Sequence, residues 1–425
     1  MTTLYRGILI SADSVGAMRV TRDGAMIVED GRIKYSGPAV GVPQELEPNI
    51  KTISAKIILP GLIDLHTHLP QYPLRGTGRG ELLDWLNDYV FPEEARHADA
   101  AYSAARARHF FSSLIKNGTT TAVVFTAPFK NAACEAFKAA KKAGIRAIIG
   151  RTMMDFNCPS GLGAAATANI GDSMELARCW HGADGGRLQY AMTPRFAGSC
   201  SFELLQRAGE LARREGFYIQ THLSENLSEI EFIKNQFQNF ENYTEVYEKA
   251  GVLTDKTILA HAIHLNHNEI EAIRRNDCAI AHCPTSNIYL RSGIMPLRGY
   301  LEKGIRVGLG TDVAGGSSYS LFNEARNCRE SSKILNIFGA SAENIVSAAE
   351  ALSLATYGGA KALGIENKIG RLADGFEADF LLLNDDDFDL PAEELSDVEL
   401  IEKIIYTASL ANIDGAYVRG KKLAE

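Results

Sequence analysis

Five side chains of this 425-residue chain are of types that bind transition metals, and all five stand at the same kind of position in the sequence. His66 and His68, separated by one residue, follow a short apolar run, and His222, His261 and Asp312 each close another such run. Side chains two residues apart in an extended segment point to one face, so both imidazoles of the first pair can reach one ion. The pattern predicts a mononuclear metal site. Neutral imidazoles with one carboxylate suit Zn²⁺, and Fe²⁺ is the alternative.

Three further polar side chains lie close to these positions and are of types that act on a substrate. Glu225 follows His222 by three residues, where a carboxylate can carry protons between an activated water and a substrate. The alternative for Glu225 is an acidic residue that the dipole favours at a helix N-terminus. The guanidinium of Arg195 can bind a carbonyl or anionic edge of a substrate, and the amide of Gln71 can both donate and accept hydrogen bonds. For these two the alternative is an ordinary surface or loop role.

The segments that carry these residues alternate with longer helical stretches. Eight short, continuously apolar runs, rich in β-branched residues, are typical of strands buried on both faces of a parallel sheet. The runs are 56–66, 119–125, 145–150, 188–195, 217–222, 256–261, 278–284 and 305–312. Eight strand–helix units over about 250 residues predict a (β/α)₈ TIM-like barrel, whose active sites form at the C-terminal ends of the strands. A doubly wound open sheet is the alternative, because periodicity alone does not prove closure.

Both chain ends have the pattern of short strands separated by turns. Asp30-Gly31 lies between two alternating runs, which is a strong hairpin signal. Each end alone is too short to form a core. We therefore expect residues 1–56 and 373–425 to form one composite β-sandwich domain, and residues 57–372 to form the barrel.

Composition and charge exclude several classes of protein. The chain has 44 Lys and Arg against 52 Asp and Glu, so its net charge of 44 − 52 = −8 gives no electrostatic reason to bind nucleic acid or an anionic membrane. No apolar run approaches the roughly 18–20 residues that a membrane span needs, and the N-terminus lacks the pattern of a secretory signal. The seven cysteines are scattered and include no CxxC pair, so we expect reduced thiols in a cytoplasmic protein.

Four short segments that carry the candidate residues resemble the amidohydrolase superfamily. They are PGLIDLHTH (60–68), THLSEN (221–226), AHAIHL (260–265) and GLGTD (308–312). Two more specific segments, ELLDWLNDYVFPEEAR (81–96) and TPRF (193–196), are similar to those of superfamily members that hydrolyse guanine to xanthine and ammonia. The resemblance spans residues 56 to about 320 and continues into IGRLADGFEADFLLL (369–383).

The resemblance implies a role for each candidate residue. The implied zinc ligands are His66, His68, His222 and Asp312. The residues implied to act in catalysis are Glu225, His261 and Asp312, and those implied to bind a small purine substrate are Gln71, Arg195, Phe196 and His261. The fourth run, 188–195, contains no lysine that could bridge two ions, so one Zn²⁺ per subunit is expected. Relatives of this kind are commonly homodimers, and the same is expected here.

Two residues depart from the family pattern. Ala262 stands where relatives often have glycine, and Phe156, in MMDFN, stands where some have Arg or Leu. These departures leave a second hypothesis open, in which the substrate is another amino-heterocycle such as an oxidised guanine, a pterin or a triazine. A third hypothesis is a non-enzymatic interaction protein built on the same barrel. It is disfavoured because relatives of that kind lack metal ligands, whereas this chain retains all the candidates.

Overall fold

The computed structural model describes residues 2–43, 50–78, 80–339 and 345–424. Within these ranges the strands are β1 (Thr2–Ser14), β2 (Ala17–Glu29), β3 (Arg32–Pro38), β4 (Lys51–Pro60), β5 (Leu62–His68), β6 (Thr119–Thr126), β7 (Arg146–Met153), β8 (Leu188–Pro194), β9 (Tyr218–Leu223), β10 (Thr257–His261), β11 (Ala279–His282), β12 (Arg306–Leu309), β13 (Phe380–Leu383), β14 (Ile413–Val418) and β15 (Lys421–Lys422). The α-helices of the same ranges are α1 (Leu82–Trp85), α2 (Phe91–Ala95), α3 (Ala100–Lys116), α4 (Lys130–Ala143), α5 (Ala166–Trp180), α6 (Ala183–Gly186), α7 (Phe202–Glu215), α8 (Leu227–Gln236), α9 (Tyr243–Lys249), α10 (His267–Arg275), α11 (Pro284–Tyr289), α12 (Leu297–Glu302), α13 (Leu321–Ile337), α14 (Ala348–Ser353), α15 (Gly359–Ala362) and α16 (Asp397–Thr407). None of these helices is long and apolar enough to span a bilayer.

An eight-stranded parallel sheet forms the centre of the described chain. Strands β5 to β12 pair in chain order, without a reversal. The first and last strands meet just beyond β12, where the backbone N–H of Asp312 donates to the carbonyl of His66 at 2.8 Å and that of His68 donates to Val313 at 3.0 Å. A doubly wound sheet would reverse its order at one point. The predicted (β/α)₈ barrel is therefore confirmed.

Burial on both faces explains why the barrel strands are continuously apolar. Every residue of β6 and β7 is buried, because one face of each strand fills the barrel and the other packs against helices. Local signals set where the helices begin and end. For example, the Ser201 side chain accepts from the N–H of Leu204 at the start of α7, and Gly216 ends the helix with a φ of 73°. The chain then enters β9, which carries His222 to the mouth of the barrel.

The two chain ends form a seven-stranded mixed sheet in the order β15–β14–β13–β4–β1–β2–β3, as far as the described residues show. Strand β4 unites the ends, since it is parallel to β1 and antiparallel to β13. The predicted hairpin is confirmed at Asp30 and Gly31, which join β2 to β3 with φ values of 50° and 79°. The expected composite β domain thus takes the form of one mixed sheet. Only Gly61 separates β4 from β5, and the predicted domain limits at residues 56 and 373 stay a prediction.

Candidate active site

Four donor atoms of the predicted metal-binding side chains meet at the C-terminal end of the barrel. Nε2 of His68 lies 3.1 Å from Nε2 of His66 and 3.3 Å from Nε2 of His222. Oδ1 of Asp312 lies 3.1 Å from Nε2 of both His66 and His68. Ligands at about 2.0–2.1 Å from a tetrahedral Zn²⁺ are about 3.3–3.4 Å apart. The spacing of the four atoms therefore suits one small ion.

His261 lies at the edge of this group. Its Nε2 is 3.8 Å from Oδ2 of Asp312, and donor atoms of His66, His222, His261 and Asp312 all fall within 4.8 Å of one another. In the set that contains His68, four of the six distances between donor atoms are 3.1–3.3 Å. Burial lowers the pKa of His66 to about 4 and that of His222 well below its usual value, so both rings are neutral at pH 7, as metal ligation requires.

A buried carboxyl group aligns the two chain segments that carry His66 and Asp312. Oδ1 of Asp64 accepts from the backbone N–H of Thr311 at 3.0 Å and from that of His66 at 3.2 Å. Its Oδ2 accepts from the Thr311 hydroxyl at 2.6 Å. Burial raises the pKa of Asp64 to about 7. These bonds join β5 to the segment after β12 and so fix the spacing of the ligand atoms.

The second ring nitrogens of His222 and His261 are each held by a neighbour. Nδ1 of His222 donates to the backbone carbonyl of Arg195 at 2.7 Å, and Nδ1 of His261 donates to Oδ1 of Asn287 at 2.8 Å. Such partners fix both the tautomer and the orientation of an imidazole. Nε2 of each ring therefore faces the cavity with its lone pair.

Glu225 stands at the turn between β9 and α8, and its carboxyl group points into the site. Oε2 lies 3.5 Å from Nε2 of His261, and Oε1 accepts from the Ser292 hydroxyl at 3.3 Å. Burial, with the nearby carboxylates of Asp312 and Glu229, raises the pKa of Glu225 well above 4.5. A carboxyl group that is protonated near neutral pH can donate a proton to a substrate.

The helix that follows is capped by other residues, which leaves Glu225 free. Asn226 and Glu229 form a capping box at the start of α8. Oε2 of Glu229 accepts from the backbone N–H of Glu225 at 2.8 Å and from that of Asn226 at 3.2 Å. Glu229, and not Glu225, is therefore the acidic residue that stabilises the N-terminus of this helix.

A cavity opens over the metal-binding group, with about 420 Å³ of empty space that includes the open solvent at its mouth. The residues that line it are His68, Gln71, Leu82, Trp85, Leu86, Arg195, Phe196, His222, Glu225, Glu229, His261, Leu290 and Asp312. Apolar walls with a few convergent polar groups are typical of small-molecule sites. The structure therefore brings the predicted substrate-binding residues to the same cavity as the metal-binding residues, His66 alone lying just beneath its surface.

Neither family departure changes the lining of this cavity. Phe156 is 47% exposed, and it is not among the described residues that line the cavity. Ala262 follows His261 in a turn, where φ is 69° for His261 and 49° for Ala262. Glycine adopts such values without strain, which accounts for its use at this turn in relatives. The hydroxyl of Tyr300 donates to the carbonyl of Ala262 at 2.9 Å and helps to hold the turn.

Sequence reasoning missed several residues that hold the functional side chains. Glu94 pairs with Arg195, Asn287 orients His261, and Ser292 contacts Glu225. Each partner is distant along the chain from the residue that it holds. The resemblance of segment 81–96 to its relatives was the one signal that pointed toward Glu94.

The fold and the site together define a barrel hydrolase with a candidate metal centre. The chain belongs to the amidohydrolase family, whose sequence profile matches residues 57–423. The family expected from the sequence is therefore confirmed.

Within this family several similar proteins are guanine deaminases. The chain is 34% identical to the guanine deaminase of Escherichia coli strain K12 over 418 residues, which cover 96% of this chain and 93% of that protein. It is 32% identical to the guanine deaminase of Homo sapiens over 438 residues, or 99% of this chain and 96% of that protein. The crystal structure of guanine deaminase from C. acetobutylicum, with guanine bound in its active site, matches it with a TM-score of 0.94 and 35% identity over 100% of both chains.

Proposed function

We propose that this protein is a guanine deaminase, which converts guanine and water to xanthine and ammonia. The observation that carries the proposal is the cavity, in which the buried carboxyl group of Glu225, with its pKa raised well above the usual value, lies beside a four-atom metal-binding group and shares the lining with Arg195 and Gln71. The relatives that cover nearly the whole chain support it. Deamination at C2 of guanine requires an activated water, a proton donor and a pocket for the ring, and this cavity offers residues for all three.

The proposed cofactor is one Zn²⁺ per subunit, with Fe²⁺ as the alternative. The ligands would be His66, His68, His222 and Asp312, whose compact donor atoms and neutral imidazoles fit such an ion. When bound, the ion supplies Lewis acidity that lowers the pKa of a water molecule from 15.7 toward about 7.

The protein's own groups would move the protons of the reaction. Asp312 accepts one proton of the attacking water through Oδ2, and His261 hydrogen-bonds through Nε2 to the oxygen that adds to C2. Glu225 donates its proton to ring N3, where it remains in xanthine. The proton on Asp312 then passes to the 2-amino group, the C2–N bond breaks, and ammonia leaves. The second proton of the water returns to Glu225 as the C2 carbonyl forms, which restores the starting state.

The walls of the cavity would hold the ring. Phe196 offers an aromatic face for stacking. Arg195 and Gln71 would contact the edge of guanine that carries O6. A pocket that pairs these polar atoms rejects adenine, because mismatched groups would be buried without partners.

Turnover of guanine by the purified protein tests the proposal. We expect the ultraviolet spectrum of guanine to change to that of xanthine with release of one equivalent of ammonia. A chelator should abolish turnover, Zn²⁺ should restore it, and metal analysis should find about one ion per chain, the number that the ligand set accommodates. Absence of turnover in the metal-loaded protein would contradict the proposal, and turnover of a pterin or triazine in place of guanine would favour the other heterocycles.

We further propose a homodimer in the cytoplasm. The cysteines of the described residues are all free, which is consistent with a reducing compartment. Light scattering coupled to size-exclusion chromatography tests the oligomeric state. A mass of one chain, 46.3 kDa, would contradict the dimer.

A further inference from the structure

The buried carboxylate of Glu94 accepts hydrogen bonds from two polar side chains of the cavity wall, Arg195 and Gln71. Glu94, in α2, is 1% exposed. Its Oε2 accepts from Nη1 of Arg195 at 2.7 Å, and its Oε1 accepts from Nη2 of Arg195 at 3.0 Å and from Nε2 of Gln71 at 3.4 Å. The guanidinium also lies 5.0 Å from the ring centre of Phe91. The plane of the Arg195 guanidinium is thus fixed by a bidentate ion pair with Glu94 and by its contact with the Phe91 ring.

This arrangement determines what each side chain offers to a substrate. A carboxylate only accepts hydrogen bonds, so the amide nitrogen of Gln71 must face Glu94, and its amide oxygen is then directed elsewhere. Arg195 donates one N–H of each Nη nitrogen to Glu94, and Nη1 also contacts Sδ of Met154 at 4.0 Å, so the second N–H of Nη2 and the N–H of Nε remain as donors. The wall therefore presents donors from Arg195 beside an acceptor from Gln71.

We propose that Glu94 sets the specificity of the site as a positioning residue, by holding Arg195 as the donor and Gln71 as the acceptor for one edge of the heterocycle. The inference rests on the proposed function, since guanine carries a carbonyl oxygen, O6, next to a ring N–H at N1. The donor, Arg195, matches O6, and the acceptor, Gln71, matches the N–H at N1. An edge with an amino group next to an unprotonated nitrogen would place donor against donor and acceptor against acceptor.

The charge of the pair supports the same selectivity. Arg195 and Glu94 are both buried and carry opposite charges, so together they present no net charge to the cavity. An unpaired buried guanidinium would attract an anionic ring. The pair instead suits a neutral heterocycle such as guanine.

The test compares two competitive inhibitors of guanine turnover in the wild type and in Glu94→Gln. Hypoxanthine has the O6 and N1–H edge but no 2-amino group, and purine lacks the 6-oxo group altogether. We expect the ratio of the inhibition constants, purine over hypoxanthine, to fall about ten-fold in Glu94→Gln, which corresponds to the loss of one to two hydrogen bonds. Inhibition constants do not depend on the fraction of folded enzyme, so a loss of stability alone would leave this ratio unchanged.

Glu93→Gln is the matched control. Glu93 is the neighbouring buried glutamate, but it accepts from Tyr102 and Arg96, whereas Glu94 accepts from the cavity-lining residues Arg195 and Gln71. It should keep the wild-type ratio. If Glu94→Gln does not fold, Glu94→Asp, which keeps the charge but withdraws the oxygens by one methylene, should also lower the ratio. A ratio within two-fold of the wild type in the folded Glu94 variant would overturn the inference, whereas a wild type that does not turn over guanine would overturn the proposed function itself.

Discussion

Proton positions at single atoms decide what this site can do. His222 and His261 each donate a hydrogen bond from Nδ1 to a neighbour, so their Nε2 atoms can face an ion or a reacting oxygen. Burial and the nearby carboxylates of Asp312 and Glu229 raise the pKa of Glu225 well above its usual value, which favours its protonated form. The hydroxyl of Ser292 donates to Oε1 of Glu225 and helps to hold that carboxyl group in place. The site therefore combines a proton donor with lone pairs that point toward the same space.

The substitution Glu225→Gln removes the transferable proton but keeps the size and burial of the side chain. We expect kcat for guanine to fall about 10²–10⁴-fold, the usual contribution of a general acid or base. Metal content should stay at the wild-type value, because Glu225 is not among the four compact ligand atoms. Glu231→Gln, an exposed position on α8, is the control. A kcat within three-fold of the wild type would remove Glu225 from its assigned role.

At the scale of secondary-structure elements, a buried contact between two helices supports His261 on β10. Glu324, in α13, accepts from both the backbone N–H and the hydroxyl of Thr285, at 3.1 and 2.6 Å, and so anchors α11. Asn287, two residues further in α11, orients His261. The position of a catalytic ring thus depends on a helix–helix contact outside the cavity.

Glu324 should also make the stability of the protein depend on pH. Burial raises its pKa from 4.5 to about 8, so the folded chain keeps a proton that the unfolded chain releases. This contribution to stability is present below about pH 4.5 and is lost as the pH rises toward 8. Between pH 5.5 and 7.5, the wild type should therefore lose roughly 2 kcal/mol more free energy of unfolding than Glu324→Gln does.

Chemical denaturation at the two pH values measures this difference. Glu210→Gln, at an exposed position of α7, should retain the pH dependence of the wild type. An identical pH dependence in Glu324→Gln and the wild type would show that Glu324 is ionised in the folded chain.

At the scale of the whole molecule, a buried ionic cluster joins the terminal sheet to the barrel. Nη2 of Arg146, at the start of β7, lies 2.9 Å from Oδ2 of Asp379 and 2.6 Å from Oε2 of Glu377. Arg419 contacts the same two acids, through its backbone N–H to Asp379 and its Nε to Glu377, each at 2.8 Å. The cluster fixes the C-terminal part of the terminal sheet to the N-terminal side of the barrel, opposite the active site.

Arg146→Met should therefore lower the free energy of unfolding without changing the activity of the folded enzyme. Removal of Arg146 takes the guanidinium away from the buried Asp379 carboxylate, whose contact with Arg419 is through a backbone N–H, and costs about 3–5 kcal/mol. We expect a lower unfolding midpoint in denaturant with an unchanged KM for guanine in the remaining folded enzyme. Lys138→Met, which breaks an exposed ion pair with Glu135, should change stability by only about 0.5 kcal/mol. A changed KM in Arg146→Met would show that the sheet is coupled to the cavity.

The sequence by itself determined the parts of this protein that depend on local pattern. Continuous apolar runs predicted the barrel strands, Asp30-Gly31 predicted the hairpin, and ligand-type residues at the ends of the runs predicted the group that meets at the barrel mouth. Strand ends can be located from the chain alone, because the side-chain period and the turn residues act over a few positions. A common barrel mouth then follows from the fold class.

The tertiary structure decided which distant side chains hold the site together. Glu94 meets Arg195 across 101 positions, and Ser292 meets Glu225 across 67. Glu94 and Glu93 stand side by side in one short helix, yet it is Glu94 that accepts from the cavity-lining residues Arg195 and Gln71, and nothing in the residue type of the two distinguishes them. The reason is physical: hydrogen bonds and ion pairs between buried groups depend on how helices pack against the barrel, and that packing follows from the burial of many apolar side chains together.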